Sequence, residues 1–334
     1  MRSFTYLRPS TPAEAVAAIA DGGPEARFLA GGTTLHDLMK LGVEAPRTII
    51  DITRLDALER FDTAGPDELV FGALARMSDV AADRRLREDY PALSEALWKA
   101  ASQQLRNMAR VGANLLQRTR CAYFRGGEAF PCNKRRPGSG CAALDGLDRG
   151  SALLGASDAC AAVYPGDWGV ALAAFDAVVD TLSPRGERSI PVRDLHKEPG
   201  DTPHVETTLA ADELIVRIRV PRSEAGRAST YHKIRDRASY AFALASAAVA
   251  VRLSAGVVAE ARVALGGVAT RPWRSTEAEE ALTGQPLTEE VARRAGEAAF
   301  AAARPGLHNA FKVELGARTV TDALMIARER AEQP

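Results

Sequence analysis

Net charge is what this 334-residue sequence most plainly lacks: 43 basic side chains face 43 acidic ones. A balanced chain has no global field to draw in nucleic acid or an anionic membrane, and neither is expected as a partner. Long apolar runs are missing too. The stretch 241–251 is interrupted by small residues and falls far short of the roughly 20 residues a membrane helix needs, so no membrane insertion is expected. No HExxH, GxSxG, GxGxxG or Gly-Lys-Ser/Thr pattern occurs, and the five histidines are dispersed. Motif-borne zinc protease, serine hydrolase, dinucleotide-fingerprint and Walker-loop chemistry are therefore unsupported, and each histidine is expected at the surface or in a cap. The start, Met-Arg-Ser-Phe-Thr-Tyr-Leu-Arg-Pro, has no apolar core and no twin arginine, which points to the cytoplasm. What remains is 46% hydrophobic residues, enough for real cores. At roughly 100–200 residues per domain, the length suggests two or three domains.

Periodicity divides the chain. Residues 11–21 read as a short amphipathic helix, with Thr11 as cap and Pro12 at its first position. An extended run, 27–30, meets Gly31-Gly32-Thr33-Thr34, a helical LHDLMKLG and a strand at 48–52. A strand is expected at 67–75 and interrupted helix over 76–105. Helical periodicity resumes at Asp167, followed by strands at 176–182 and 214–220. The turn-rich segment 221–228 reads as a domain joint. Beyond it come strand-like runs at 229–236, 241–253 and 257–268, then two alanine-rich helices near 274–304 and 319–332. Strands followed by helices predict an α+β second domain. Trp98, Trp168 and Trp273 are expected to be packing residues.

Two features carry chemistry. Phe28-Leu29-Ala30-Gly31-Gly32-Thr33-Thr34-Leu35 sets two glycines and two hydroxyls between a strand and a helix. Such a turn suits an anion, because glycine lets backbone N–H groups approach a phosphate closely. An ordinary strand-to-helix turn would look the same.

The second feature is the cysteines. There are only four, Cys121, Cys132, Cys141 and Cys160, spaced C-x10-C-x8-C-x18-C, and all lie within 40 residues. Disulfides suit small scaffolds in oxidising compartments, and this chain is large. Zinc sites normally show a short C-x2–4-C pair, whereas iron–sulfur ligands can be widely spaced. Spacing by itself leaves both metals open. Arg118, Arg120, Arg125, Lys134, Arg135 and Arg136 crowd the same stretch against one acid, Glu128. Cations lower thiol pKa and favour ligation.

A wider pattern joins these features. Arg110-Val111-Gly112-Ala113-Asn114 forms a second small-residue turn, and Asp167 follows the cysteines. Tyr231-His-Lys233-Ile-Arg-Asp-Arg-Ala-Ser-Tyr240 opens the second half, which continues with Leu265-Gly-Gly-Val-Ala-Thr270 and Pro272-Trp273-Arg274. In order and spacing this resembles the flavin-binding medium subunit of the xanthine dehydrogenase and carbon monoxide dehydrogenase class of molybdenum hydroxylases, over nearly the whole chain. The resemblance implies an α+β fold: a two-subdomain FAD-binding module of the vanillyl-alcohol oxidase (PCMH) type over 1–222, then a smaller domain of the CO dehydrogenase flavoprotein C-terminal type over 223–334. It implies FAD with its pyrophosphate on Phe28–Leu35 and on the loop Arg110, Val111, Gly112, Ala113 and Asn114, where Ala113 replaces a usual glycine. It also implies Asp167 at the flavin's sugar portion, Ile215 as an apolar contact and Lys233 near the isoalloxazine; a surface lysine is the alternative for Lys233.

The insertion at about 118–162 resembles that of periplasmic aldehyde oxidoreductases, whose medium subunit binds a [4Fe–4S] cluster. Benzoyl-CoA-type reductases carry a cluster insertion at the same place. On this likeness Cys121, Cys132, Cys141 and Cys160 are the ligands. The partners implied are a small subunit with two [2Fe–2S] clusters, a large molybdenum-cofactor subunit and an external electron acceptor, with co-export to the periplasm as the alternative location. The rival readings are the flavin subunit of a benzoyl-CoA-type reductase, a stand-alone flavin oxidase and a zinc-stabilised scaffold.

Overall fold

Three sheets organise the chain, and the computed structural model describes residues 1–333 of it. The first is parallel, with β1 (Thr5–Leu7), β2 (Ala26–Leu29) and β3 (Thr48–Asp51) in the order β1-β3-β2. The helix Pro12–Gly22 covers it. It starts where expected because the Thr11 hydroxyl accepts from the Glu14 N–H and Pro12 needs no partner for a missing N–H. Ala15, Val16 and Ile19 form its buried face.

The second sheet is antiparallel: β4 (Phe61–Asp62), β5 (Glu68–Gly72), β6 (Val178–Ser183), β7 (Gly186–Pro191) and β8 (Leu214–Pro221), ordered β4-β5-β8-β6-β7. Between β5 and β6 the chain runs through short helices, the cysteine-bearing stretch and a fully buried helix, Trp168–Ala174. The strand expected at 176–182 follows it after a turn. The turn comes at Asp176, which takes a positive φ of 50°, and β6 begins two residues later.

The third sheet holds β9 (Ser229–Ile234), β10 (Ala245–Ser254), β11 (Val257–Gly266) and β12 (Trp273–Arg274), ordered β12-β11-β10-β9. Its central strand β10 is apolar on both faces because each face meets a different core. Ala248 and Ala250 join Trp168 and Phe71 on one side. Ala247, Val249 and Val251 pack on the other side with Leu282, Val291 and Leu324 from the C-terminal helices. Small side chains suit a sheet sandwiched between helices.

Those helices number three, not two: Thr276–Leu282, Glu289–Ala299 and Phe311–Ala331. The first long segment breaks at Gly284, whose φ of 78° ends the helix, and Pro286 follows. The last helix starts eight residues earlier than its alanine-rich part suggests, at Phe311.

Candidate functional site

A cavity of about 1190 Å³ opens where the first two sheets meet the third. The loop after β2 forms its floor, and Phe28, Leu29, Ala30, Gly31, Gly32, Thr33, Thr34 and Leu35 all line it. A Cβ on Gly31 would stand 1.9 Å from the Met108 carbonyl oxygen, so only glycine lets this loop close on the segment 108–109. Gly32 holds a φ of 72°, in the left-handed region that favours glycine. Arg110, Gly112, Ala113 and Asn114 bring the second loop to the same cavity. Val111 does not reach it: its side chain is buried in the neighbouring core, and its N–H bonds the Ala75 carbonyl.

Asp167 and Ile215 complete the predicted lining. The Asp167 carboxylate accepts from the Tyr231 hydroxyl at 2.6 Å and from Lys233 Nζ at 2.8 Å. Lys233 is neither a surface lysine nor part of the cavity wall. Its side chain is 1% exposed and stands behind Asp167, also donating to the Lys99 carbonyl at 3.2 Å. His232, next to it on β9, faces the other way, 3.8 Å from Asp322.

Two further expectations are corrected. His196 is buried, its Nε2 donating to the Leu115 carbonyl at 2.8 Å, and burial pushes its pKa down to about 4. Tyr164 donates to the same carbonyl at 3.2 Å. Trp98 does not pack: it is 57% exposed, with the Arg106 guanidinium over its ring.

The stretch 118–162 forms an arm beside the cavity. Its cysteines are all free thiols. Cys132 and Cys141 pair as an antiparallel bridge, and Cys160 sits in a second small bridge with Ser157. A hydrogen bond from the Cys160 thiol, helped by the N–H groups of Ala143, Ala161 and Leu144, lowers the Cys141 pKa. Donating that bond pushes Cys160 up, and burial raises Cys121, which also feels Cys132 and Cys141. Cys121 thus packs beside Cys132, Cys132 is bridged to Cys141, and Cys141 lies beside Cys160. Among the described residues, however, no three His, Cys, Asp or Glu side chains are arranged to hold a single metal ion.

The arm's arginines do something the sequence did not disclose. They pair with acids of the cavity wall: Arg125 and Arg120 with Asp37 at 2.8 and 3.3 Å, Arg118 with Glu44 and with Glu206 at 2.8 Å. No local signature could have identified Asp37, Glu44 or Glu206, whose partners lie far along the chain. On its other side the arm is tied to the C-terminal part. Asp148 accepts from the N–H groups of Leu307 and His308, and buried Lys312 donates to the carbonyls of Ser151 and Gly267.

Comparison with known proteins gives this geometry its class. Residues 2–223 match the FAD binding domain in molybdopterin dehydrogenase, and 229–327 match the CO dehydrogenase flavoprotein C-terminal domain. The chain is 47% identical to the aldehyde oxidoreductase FAD-binding subunit PaoB of Escherichia coli over 99% of its length and all of that protein. It is 27% identical to the glyceraldehyde dehydrogenase medium chain of Sulfolobus acidocaldarius, covering 87% of this chain and 84% of that one. A solved carbon monoxide dehydrogenase from Hydrogenophaga pseudoflava has a chain that superposes with a TM-score of 0.77 at 27% identity, over 98% of both.

The chain belongs to the FAD-binding medium subunits of the molybdenum hydroxylase family. It is an oxidoreductase subunit, with a mixed α/β FAD-binding domain followed by a CO dehydrogenase flavoprotein C-terminal domain. The cavity fits the cofactor of that class. Two glycines leave one loop open, and Asn114 Oδ1, Arg110 Nε and Arg120 Nε, on cavity-lining residues, are buried without a hydrogen-bond partner. Among the described residues, no helix is long and apolar enough to cross a membrane.

Proposed function

We propose that this chain is the electron-transfer subunit of a heterotrimeric molybdenum-dependent aldehyde dehydrogenase, or one of xanthine type. It would take electrons from a small subunit with two [2Fe–2S] clusters and pass them to an external acceptor, while a large molybdenum subunit oxidises the substrate. The observation that carries this reading is the convergence of the two loops, Asp167 and Ile215 on one large cavity. The likeness to an aldehyde oxidoreductase FAD-binding subunit over the full length supports the aldehyde as substrate class.

In this reading Phe28–Leu35 and Arg110–Asn114 hold the FAD diphosphate, with Val111 acting as the buried anchor of its loop. Asp167 presents a carboxylate to sugar hydroxyls, aimed by Tyr231 and Lys233. Lys233 therefore acts on the flavin through Asp167. Bound FAD accepts electrons singly and delivers them in pairs, which suits a relay. The division between the two domains is placed at 222/223.

Cys121, Cys132, Cys141 and Cys160 are read as ligands of a [4Fe–4S] cluster. Three things support this: four free thiols in one arm, N–H donors aimed at sulfur, including Ala162 to Cys160 Sγ at 3.4 Å, and cationic surroundings. A cluster spreads its ligands over several irons, so it does not require the tight ligand set of a single ion. Location follows the partner: the cytoplasm, or the periplasm if a signal-bearing subunit carries the complex.

An ultraviolet–visible spectrum of the anaerobically purified chain, with iron and sulfide assays, tests both halves. Flavin bands with about four irons per chain are expected. Flavin without iron would remove the cluster, and zinc in its place would favour a structural metal. Absence of both chromophores would overturn the whole reading.

A further inference from the structure

The arginine-rich stretch of the arm lies between the cysteines and the flavin cavity. Its side chains turn away from being a generic basic surface and insert into the flavin cavity's wall at two places. On one side stands the helix Leu35–Lys40, which the Gly31-Gly32-Thr33-Thr34 loop runs into. Asp37 of this helix takes both Arg120 and Arg125, the residues that bracket Cys121. Leu38, one position on, is buried against Phe124 and Cys132. On the other side stands Glu206, which lines the cavity. One of its carboxylate oxygens accepts from Arg118 and the other from Lys134, each at 2.8 Å, and Lys134 also donates to the Pro203 carbonyl at 2.9 Å. Lys134 lies two residues after Cys132, and its charge reaches Cys160.

We propose that the cysteine arm and the flavin cavity are thermodynamically coupled, with Asp37 and Glu206 as the positioning residues that join them, so that filling the cysteine site tightens FAD binding and the reverse. This rests on the reading above, that the cavity takes FAD and the cysteines take an iron–sulfur cluster.

The physical argument is one of shared ordering. The arm has almost no core of its own: Phe124 and Cys132, with Leu38 from the cavity helix, are its only separate buried cluster. Segments with few apolar contacts open at low free energy. Arg118, Arg120 and Arg125 nevertheless line the cavity, so a displaced arm leaves the wall incomplete, strands Asp37 and Glu206 without partners and leaves Glu44 with Arg27 alone. Whichever cofactor binds first orders the shared wall, and the second then binds without that cost. Linkage makes the effect equal in both directions.

The test is FAD titration of the flavin-stripped full-length chain, followed by flavin fluorescence, in the iron-loaded form and in a form made iron-free by anaerobic chelation. FAD is expected to bind about tenfold more tightly to the iron-loaded chain. In Asp37→Asn and in Glu206→Gln the ratio of the two affinities should fall towards one, and in the double variant it should reach one. Iron retention during chelation should rise with saturating FAD in the wild-type chain and lose that rise in the variants. Equal FAD affinity in the two wild-type forms would overturn the coupling. So would variants that weaken FAD in both forms by the same factor, because that is the signature of a residue that merely supports the cavity. A chain that takes up iron or flavin but never both would overturn the preceding reading, and this one with it. Lys134→Met, which leaves Glu206 and its Arg118 pair in place, supplies a second, milder variant if Glu206→Gln does not fold.

Discussion

Around the flavin cavity, the loops at 28–35 and 110–114 stand on continuous apolar cores, with Phe71 and Trp168 fully buried between sheet and helix. The arm beside it is held almost entirely by other means. Between 118 and 150 it offers Phe124, Cys132 and Ala143 to the interior, and its backbone is tied down by Asp148, Lys312 and the arginine pairs. Only at Leu153 and Leu154 does it enter a core, that of the third sheet. Hydrophobic burial thus fixes the cavity's frame whether or not anything is bound. The arm depends on the buried latches of Asp148 and Lys312, on whatever its thiols hold, and on arginine pairs that touch water and contribute little each.

Trp168→Ala should show the frame's side of this contrast most strongly. The indole meets Phe71 edge-on at 5.5 Å inside the largest core, and its loss should cost about 3–5 kcal/mol in urea unfolding. A cost below 1 kcal/mol would mean that the frame is not carried by this core.

His196 tests the neck between the two regions. Burial lowers its pKa to about 4, below the ordinary value near 6.5, so the unfolded chain takes up the proton first as pH falls. Stability should drop between pH 6.5 and pH 4, by about 2 kcal/mol from pH 7 to pH 5, and His196→Gln should flatten that slope. An unchanged slope in the variant would show that the neck does not respond to acid through this ring.

The smallest effect is expected from Arg149→Ala. Its two-pronged pair with Asp236 joins the arm to the loop after β9, but both side chains are more than half exposed. A change of about 0.5 kcal/mol or less is expected in thermal or urea unfolding. A loss of several kcal/mol would erase the distinction, because a surface latch would then rank with a core residue.

The same contrast explains what could be read in advance. Local rules placed the Thr11 cap, the Gly31-Gly32 turn and the alternation of β8, and the order of short motifs led to the cavity and to most of its lining. Where the structure departs from the reading, a residue's fate was decided at a distance. Gly284 breaks a helix that alanine content would continue. Lys233 is drawn off the cavity by Asp167, more than sixty residues earlier in the chain. The arginines of the arm could be counted but not paired, since Asp37, Glu44 and Glu206 carry no mark of their partners. His196 reads as a surface residue because nothing near it in sequence shows that Tyr164 and Leu115 enclose it.

The neck itself bears on how such a chain could come to exist. Tyr164 and His196 both donate to the carbonyl of Leu115, so the chain leaves the frame and returns to it at nearly the same point. An excursion with its ends already together adds an entropic cost that grows only with the logarithm of its length. The arm is therefore a cassette: its length and cargo can change, or it can be removed and its ends rejoined, while the frame on either side keeps its register. New redox content can be acquired at this position without redesigning the fold that receives it.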